Sequence, residues 1–265
     1  MSTDTDTPEG PFSVWRRVVA SGVGGKVLAV LFLAGAVISL TGLADMADVG
    51  VAGSAIALAA AAVQATLLYV VARFALPPGV LTRDEIVWMI LWGALGATGL
   101  AGVLNSLGPS TEIAPFVEEL IKLVGVVAVL TIGARTPLRG FALGFTVGAG
   151  FEVFENLQYA ISPSDGGPGV AQELTTIASR MLVGFGFHAF TVALTGAVAG
   201  YVLCKFNTLL RYEFAVAIVG AVAVHAVWDL APSLETVGYV LMAIDYILLV
   251  ALFVVTVRRI RRTTA

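Results

Sequence analysis

Residues 116–122 read FVEELIK, which places two adjacent glutamates and a lysine inside an otherwise apolar run. The run is long enough to cross a lipid bilayer, where charged side chains are costly and persist mainly at functional sites or facing a bundle interior. In a helix, Glu118 and Lys122 stand four residues apart on one face, and Glu119 is rotated by about 100°. A structural ion pair and a reactive site would both account for this segment taken alone.

Composition decides the class of protein. Of the 265 residues, 58% are hydrophobic and 12% are charged, and the mean hydropathy is +0.94. A soluble chain of this length could not bury so much apolar surface, so we predict an all-α integral membrane protein in contact with the lipid bilayer. The single cysteine, Cys204, excludes an internal disulfide and a CxxC metal site. We see no basic surface of the kind that binds nucleic acid.

The apolar runs predict a bundle of eight transmembrane helices, each close to the roughly 20 residues that a bilayer requires. Glycine pairs four apart, Gly144/Gly148 and Gly196/Gly200, predict close helix packing. We expect one membrane domain at 26–257, preceded by a polar tail and interfacial segment at 1–25 and followed by a basic tail at 258–265. The predicted spans are residues 26–43, 51–72, 86–104, 113–132, 138–160, 178–204, 214–230 and 237–257.

The basic residues predict the orientation of this bundle. If both termini are cytoplasmic, the outside loops carry only Arg180, and Lys122 lies within a helix. This asymmetry follows the positive-inside rule and favours a multi-pass protein of the cell membrane with an even number of spans. The basic residues that fall on the cytoplasmic side are Arg16, Arg17, Lys26, Arg73, Arg83, Arg135, Arg139, Lys205, Arg211, Arg258, Arg259, Arg261 and Arg262.

Further ionisable groups lie in predicted spans five to seven. A lone buried histidine is more often a hydrogen-bonded core residue than a ligand, so none of these groups is decisive by itself. The predicted orientation, however, places most of them in the outer half of the bilayer, with Glu118 roughly 8–9 Å below the outer end of its helix. A shared depth favours one polar site enclosed by helices 4–7. Its members beyond FVEELIK are Glu152, Glu155, Asn156, His188, His225 and Asp229.

Two histidines and several carboxylates are suitable ligands for a divalent metal, and we expect zinc. The predicted ligands are His188, His225 and at least one carboxylate from Glu155 and Asp229. A bound water can then act as a nucleophile near neutral pH, and a spare glutamate can accept its proton. Three alternatives stay open: hydrolysis by glutamates without metal, a proton- or cation-coupled transporter using the same groups, and a silent scaffold. The inverted repeats typical of many transporters are not found.

Four ordered motifs resemble the PrsW family of intramembrane proteases, which is related to the CAAX prenyl proteases and the wider CPBP/ABI group. They are EELIK as EExxK, FEVFEN as FExxEN, the isolated His188, and HAVWD as HxxxD. The resemblance covers about residues 86–230. In the CAAX relatives the second motif ends in histidine and the fourth in asparagine, whereas this chain has Glu155 and Asp229, as PrsW members do.

The resemblance implies roles for these residues. Glu118 matches the glutamate that activates water, and Glu119 matches its neighbour that orients the site or substrate; both are candidate catalytic residues. Family members are associated with cleavage of membrane-anchored anti-sigma factors on the extracytoplasmic side, so a membrane-anchored protein or peptide is the expected substrate. We expect Lys122, Glu152 and Asn156 to support the site. The other buried acid, Asp245, is interpreted as a structural partner or a supporting group. The outside loop at 162–178 fits either a substrate gate or an ordinary connection.

Overall fold

The computed structural model describes residues 12–162, 177–178, 180–181 and 183–264. This part of the chain is helical and contains no strand. The helices that position the site are α1 Ser13–Ala20, α2 Val23–Gly42, α3 Met46–Ala75, α4 Arg83–Leu91, α5 Thr98–Asn105, α6 Ser110–Thr131, α7 Pro137–Ile161, α8 Phe187–Phe206, α9 Tyr212–Leu230 and α10 Glu235–Thr264. A π-helical turn, Trp92–Ala97, joins α4 to α5.

Four helical segments of the described chain are long and apolar enough to cross a membrane, namely Val23–Ala75, Arg83–Asn105, Phe187–Phe206 and Tyr212–Arg262. Three of these segments contain more than one helix, namely Val23–Ala75, Arg83–Asn105 and Tyr212–Arg262. Helices α6 and α7 are not among them; every 18-residue stretch of α6 contains the three charged residues Glu118, Glu119 and Lys122. The protein is therefore an all-helical, multi-pass membrane protein, and the count of eight spans stays a prediction.

The central helix is α7, which is buried along most of its length. It packs against α8 through the predicted glycine pairs. A methyl group on Gly144 would meet the Val192 carbonyl, and one on Gly148 would meet the His188 carbonyl. The equivalent additions at Gly196 and Gly200 would also meet backbone atoms of the facing chain. The predicted close packing is confirmed, and it fixes the backbone of His188 against α7.

The predicted span 178–204 is not one unbroken helix, and that expectation was wrong. The chain turns at residues 184–186 and α8 begins at Phe187. Gly186 has a φ of +76°, a conformation that suits a residue without Cβ. His188 therefore lies at the start of α8 and not about ten residues into a helix. The predicted loop at 162–178 falls almost entirely outside the described residues, and so do residues 1–11 of the predicted tail.

Candidate active site

Helix α6 brings three charged side chains into the interior of the bundle. Glu119 and Lys122 are completely buried and Glu118 is 5% exposed. Behind them, the Trp92 indole lies against Gly125, where a methyl group would collide with the ring, and its Nε1 donates to the Ile121 carbonyl at 3.2 Å. This contact locks α6 against the π-helical turn. The charged face of α6 is thereby held toward α7, α8 and α9.

Lys122 is the cation at the centre of the group. Its Nζ donates to Glu119 Oε1 at 2.6 Å and to His188 Nδ1 at 2.9 Å, and it lies 3.8 Å from Glu118 Oε2. The Phe151 ring covers the same ammonium, with its centroid 4.4 Å away. One lysine thus connects the paired glutamates of α6 to the histidine of α8.

His225 of α9 is oriented by Glu119. The two are 3.1 Å apart, between Nδ1 and Oε1. Because an ionised carboxylate only accepts, Nδ1 carries the hydrogen and Nε2 of the neutral ring carries a lone pair. That Nε2 lies 3.7 Å from Glu118 Oε2 and 3.5 Å from Asp229 Oδ2. Metal-binding histidines typically donate one ring N–H to a carboxylate, which leaves the other nitrogen for the metal. His225 has this arrangement, with Nε2 as the nitrogen that could bind an ion.

Glu118 has one oxygen engaged and one without a partner. Its Oε1 accepts from Asn105 Nδ2 at 3.1 Å, whereas its buried Oε2 has no hydrogen-bond partner among the described residues. Glu118 also lines a cavity of about 290 Å³, together with Asn105 and Glu155. The cavity lies between the ends of α2, α5 and α7 and the middle of α6. A substrate group or a water molecule in this cavity can reach the carboxylate.

Glu155 lies on the other side of the imidazole of His188. Its Oε2 is 3.2 Å from His188 Nε2 and accepts from Arg180 Nη2 at 2.5 Å. Arg180 also donates to Asn156 and stacks on Tyr159, with the guanidinium 3.9 Å from the ring centroid. The sequence interpretation gave Arg180 no role, although the predicted orientation leaves it as the one basic residue of the outside loops.

Glu152 supports the site by binding backbone amides at the start of α8, and it does not face the histidine nitrogens. It accepts from the Gly186 and Ala189 backbone amides at 2.7 and 3.4 Å, and from Gln64 Nε2 at 2.9 Å. These bonds satisfy amides at the start of α8, where a helix has unpaired donors. Gln64 in turn accepts from Asn156. Gln64 was not predicted; its signal is a single amide within the apolar α3.

The structure brings together Glu118, His188 and His225 as one set of possible ligands, with one donor atom from each lying within 4.8 Å of the others. The partnerless oxygen of Glu118 and the free nitrogen of His225 give this set the character of a cation site. Two imidazoles and a carboxylate also match the donor types of catalytic zinc sites. The donor types therefore fit a divalent metal, although His188 can act as a ligand only when Nδ1 is released from its hydrogen bond with Lys122. Glu155 and Asp229, predicted as ligands, each lie beside one imidazole Nε2.

Asp245 lies on α10, away from these contacts. Its Oδ2 is buried and has no hydrogen-bond partner among the described residues. The neighbouring Tyr246 donates to the Phe185 carbonyl and so ties α10 to the turn before α8. No contact in the described structure joins Asp245 to the histidines or to the paired glutamates.

The arrangement defines a membrane protein with a buried carboxylate and histidine site on a helical bundle. The model of the PrsW family intramembrane metalloprotease matches residues 82–257, which is more than half of the chain. The chain therefore belongs to this family and is a membrane-embedded protease. Searches of curated proteins and of solved structures found no match. The family match supports the protease prediction and gives no support to a transporter.

Proposed function

We propose that the protein is an endopeptidase that cleaves membrane-anchored, anti-sigma-factor-like substrates near the outer leaflet, with Glu118 as the general base. One observation carries this proposal: Glu118 Oε2 is buried and without a hydrogen-bond partner, yet Glu118 lines a cavity large enough for several water molecules. Glu119 Oε2 also lacks a partner among the described residues, but Glu119 does not line this cavity, and both oxygens of Glu152 accept hydrogen bonds.

The proposed roles follow from the contacts. Asn105 holds one oxygen of Glu118, so that the other can accept a proton from a water molecule and return it to the leaving amine. Glu119 is a positioning residue because its Oε1 is shared by Lys122 and His225. Lys122 offsets the excess of negative charge that Glu118, Glu119 and Glu155 bring to one buried space.

A divalent metal, which we propose to be zinc, would be held by His188 and His225 with a carboxylate from Glu155 or Asp229. When bound, it would supply a Lewis acid and make water acidic enough to ionise near neutral pH. The support is the donor set itself: His225 Nε2 lies between two carboxylate oxygens with its hydrogen on the opposite nitrogen. Glu118 is near enough to be a third ligand instead of the base, and the two roles predict different results on mutation.

The proposed outer location rests on which helix ends line the cavity. Its lining includes Gly42 and Asn105, the last residues of α2 and α5, and Ser162, which follows the end of α7. The opposite end of these helices carries the basic residues that predict the cytoplasmic side. We propose that both termini are cytoplasmic and that substrate reaches Glu118 from the extracytoplasmic side. The test is a C-terminal fusion to a reporter enzyme that works only outside the cell. Activity of this reporter would contradict the proposed orientation.

The decisive experiment compares Glu118→Gln with Glu112→Gln, an exposed glutamate on the same helix. Each variant is reconstituted with a single-span anti-sigma factor, and both cleavage and zinc content are measured. Because glutamine cannot accept the proton, Glu118→Gln is expected to lose about 10²–10⁴-fold in rate and to keep its zinc. Glu112→Gln is expected to behave as the parent.

The two failures of this experiment are distinct. Near-normal cleavage by Glu118→Gln would overturn its assignment as the base. Loss of both cleavage and zinc would make Glu118 a ligand and would leave the base to be sought among the neighbouring carboxylates. Full cleavage by the parent protein after exhaustive chelation would replace the metal mechanism with one that uses glutamates alone.

A further inference from the structure

A second cavity, of about 650 Å³, lies between α3, α4 and α7 and is separate from the candidate active site. Its walls are apolar, and it is closed at one end by the connection at residues 76–81. On α7 it uses the face that carries Phe145, Ala149 and Val153, whereas Glu152 and Glu155 point elsewhere. Typical wall residues are Leu68, Ala72, Ile86, Ile90, Phe145 and Val153.

Two arginines stand at the mouth of this groove. Arg73 ends α3 and Arg83 begins α4; both line the cavity and both are exposed. No carboxylate among the described residues pairs with either of them. The acids next in sequence are engaged elsewhere: Asp84 accepts from Ser13 Oγ and the Val14 amide, each at 2.7 Å, and Glu85 binds Arg139 at 2.5 Å. The mouth is therefore a pair of uncompensated positive charges.

The backbone that connects the two arginines is fixed by a helix cap and a rigid turn. Thr82 caps α4, accepting from the Glu85 amide, while the Glu85 carboxylate accepts from the Thr82 amide at 2.9 Å. The connection contains Pro77 and Pro78, and Gly79 turns the chain with a φ of +79°. Because proline fixes φ, this turn has little freedom. The start of α4, with Arg83, is thus held beside the end of α3, with Arg73.

The size of the groove limits its occupant. The wall residues run from Ala65 on α3 to Leu76, which directly follows the end of that helix, a distance of about 16 Å at roughly 1.5 Å per residue. This is close to half of the ~30 Å hydrocarbon core, which is the depth of one leaflet. The apolar walls of the groove and this length suit acyl chains, which can enter it from the bilayer.

We propose that this groove binds an anionic glycerophospholipid of the leaflet at the basic end of the bundle. The phosphate lies between Arg73 and Arg83, and the acyl chains lie along α3, α4 and α7. Basic pockets between transmembrane helices on the cytoplasmic side are suited to such headgroups. The lipid would then pack against α7, the helix that carries Glu152 and Glu155 on another face.

The test is a lipid titration of the full chain, purified in neutral detergent and stripped of lipid, followed by native mass spectrometry. The probes are dioleoyl phosphatidylglycerol and dioleoyl phosphatidylcholine. We expect tighter binding of phosphatidylglycerol, and a loss of about fivefold in its affinity for each arginine removed by Arg73→Gln or Arg83→Gln. Binding of phosphatidylcholine should fall less in these variants, because its choline already balances the charge of the phosphate. Arg258→Gln, an exposed arginine outside the groove, is the control.

A second pair of variants tests the apolar part without touching charge. Ala65→Phe fills the groove from an exposed position on α3 and should weaken both lipids equally. Ala62→Phe adds the same ring at an exposed position of α3 that does not line the groove, and should weaken neither. Equal affinity of the parent for the two lipids, or arginine variants that match Arg258→Gln, would overturn the proposal. So would unchanged lipid binding by Ala65→Phe.

Discussion

Two buried ion pairs lie toward opposite ends of the same bundle, and they differ in how fully their polar atoms are used. Near the end that we propose to be cytoplasmic, Arg139 donates to Glu85 Oε1 at 2.5 Å and to the Val129 and Ala134 carbonyls at 3.2 and 3.0 Å. Glu85 Oε2 accepts from the Thr82 amide at 2.9 Å. Every charge in this pair has a close partner.

The pair in the candidate active site is different. Lys122 Nζ donates to Glu119 Oε1 at 2.6 Å but lies 3.8 Å from Glu118 Oε2. One oxygen of each glutamate has no hydrogen-bond partner among the described residues. Glu118 also borders a cavity, and more carboxylates stand nearby than cations. A saturated pair holds helices together, because its atoms have nothing left to bind. An unsaturated group is available for a proton, a metal or a substrate.

The largest effect is expected from breaking the saturated pair. Arg139→Met should lower the free energy of unfolding by about 3–5 kcal/mol, because it leaves the buried carboxylate of Glu85 without compensation. The measurement is denaturant unfolding in micelles. Arg258→Met, at an exposed arginine, is the control and should cost little. A loss as small as that of the control would show that the pair contributes nothing to the fold.

A double substitution sharpens this contrast. Replacing both partners, as Glu85→Leu with Arg139→Met, should recover most of the lost stability, since apolar pairs often substitute for buried ion pairs. In the site, Glu118→Gln alone should leave stability unchanged or raise it, because the amide keeps the Asn105 contact and removes one charge from an acidic cluster. A strongly destabilised Glu118→Gln would assign the two pairs the same structural role.

The second effect concerns metal affinity. Removing a group that only orients a metal ligand lowers metal affinity by about 10–100-fold. His225→Ala removes a proposed ligand itself, so we expect its zinc affinity to fall by more than about 100-fold. Zinc titration of the purified protein measures this directly. Asp245→Asn is the matched control, since it alters a partly buried acid that lies outside the cluster. Equal zinc affinity in the two variants would remove His225 from the ligand set.

The third effect tests whether helix packing positions the site. A methyl group on Gly148 would meet the His188 carbonyl, so Gly148→Ala should cost about 1–3 kcal/mol of stability by overpacking. It should also reduce cleavage, because α8 must shift and His188 moves with it. Gly220→Ala is the control, since a methyl group there meets nothing within 4 Å. Parent-like cleavage by Gly148→Ala would mean that the site tolerates this displacement.

Much of the helix order was predictable from hydropathy, because a bilayer requires long apolar runs. The members of the site were predictable for the same reason, since Glu118, Glu155 and His188 interrupt such runs. The break before α8 was not predictable, because Gly186 is one glycine among 29. Its turn is a feature of the folded structure, in which the Gly186 amide donates to Glu152. Gln64, Asn105 and Arg180 were missed because each contacts the site from a different element, 88, 13 and 25 residues away from its partner. Pairing over such separations leaves no periodic signal.

The smallest effect returns to the saturated pair. Thr82 Oγ1 caps α4 by accepting from the Glu85 amide at 3.2 Å, and this geometry holds the carboxylate that binds Arg139. Thr82→Ala should therefore lower the free energy of unfolding by about 1 kcal/mol, the usual cost of losing such a cap. Thr82→Ser keeps the hydroxyl and should recover most of this loss. Cleavage should be unchanged in both variants, because the cap supports the Glu85–Arg139 pair and has no contact with the candidate active site in the described structure. If Thr82→Ala kept the free energy of unfolding of the parent but cleaved substrate more slowly, the two ends of the bundle would be coupled. The contrast between a structural pair and a reactive pair would then fail.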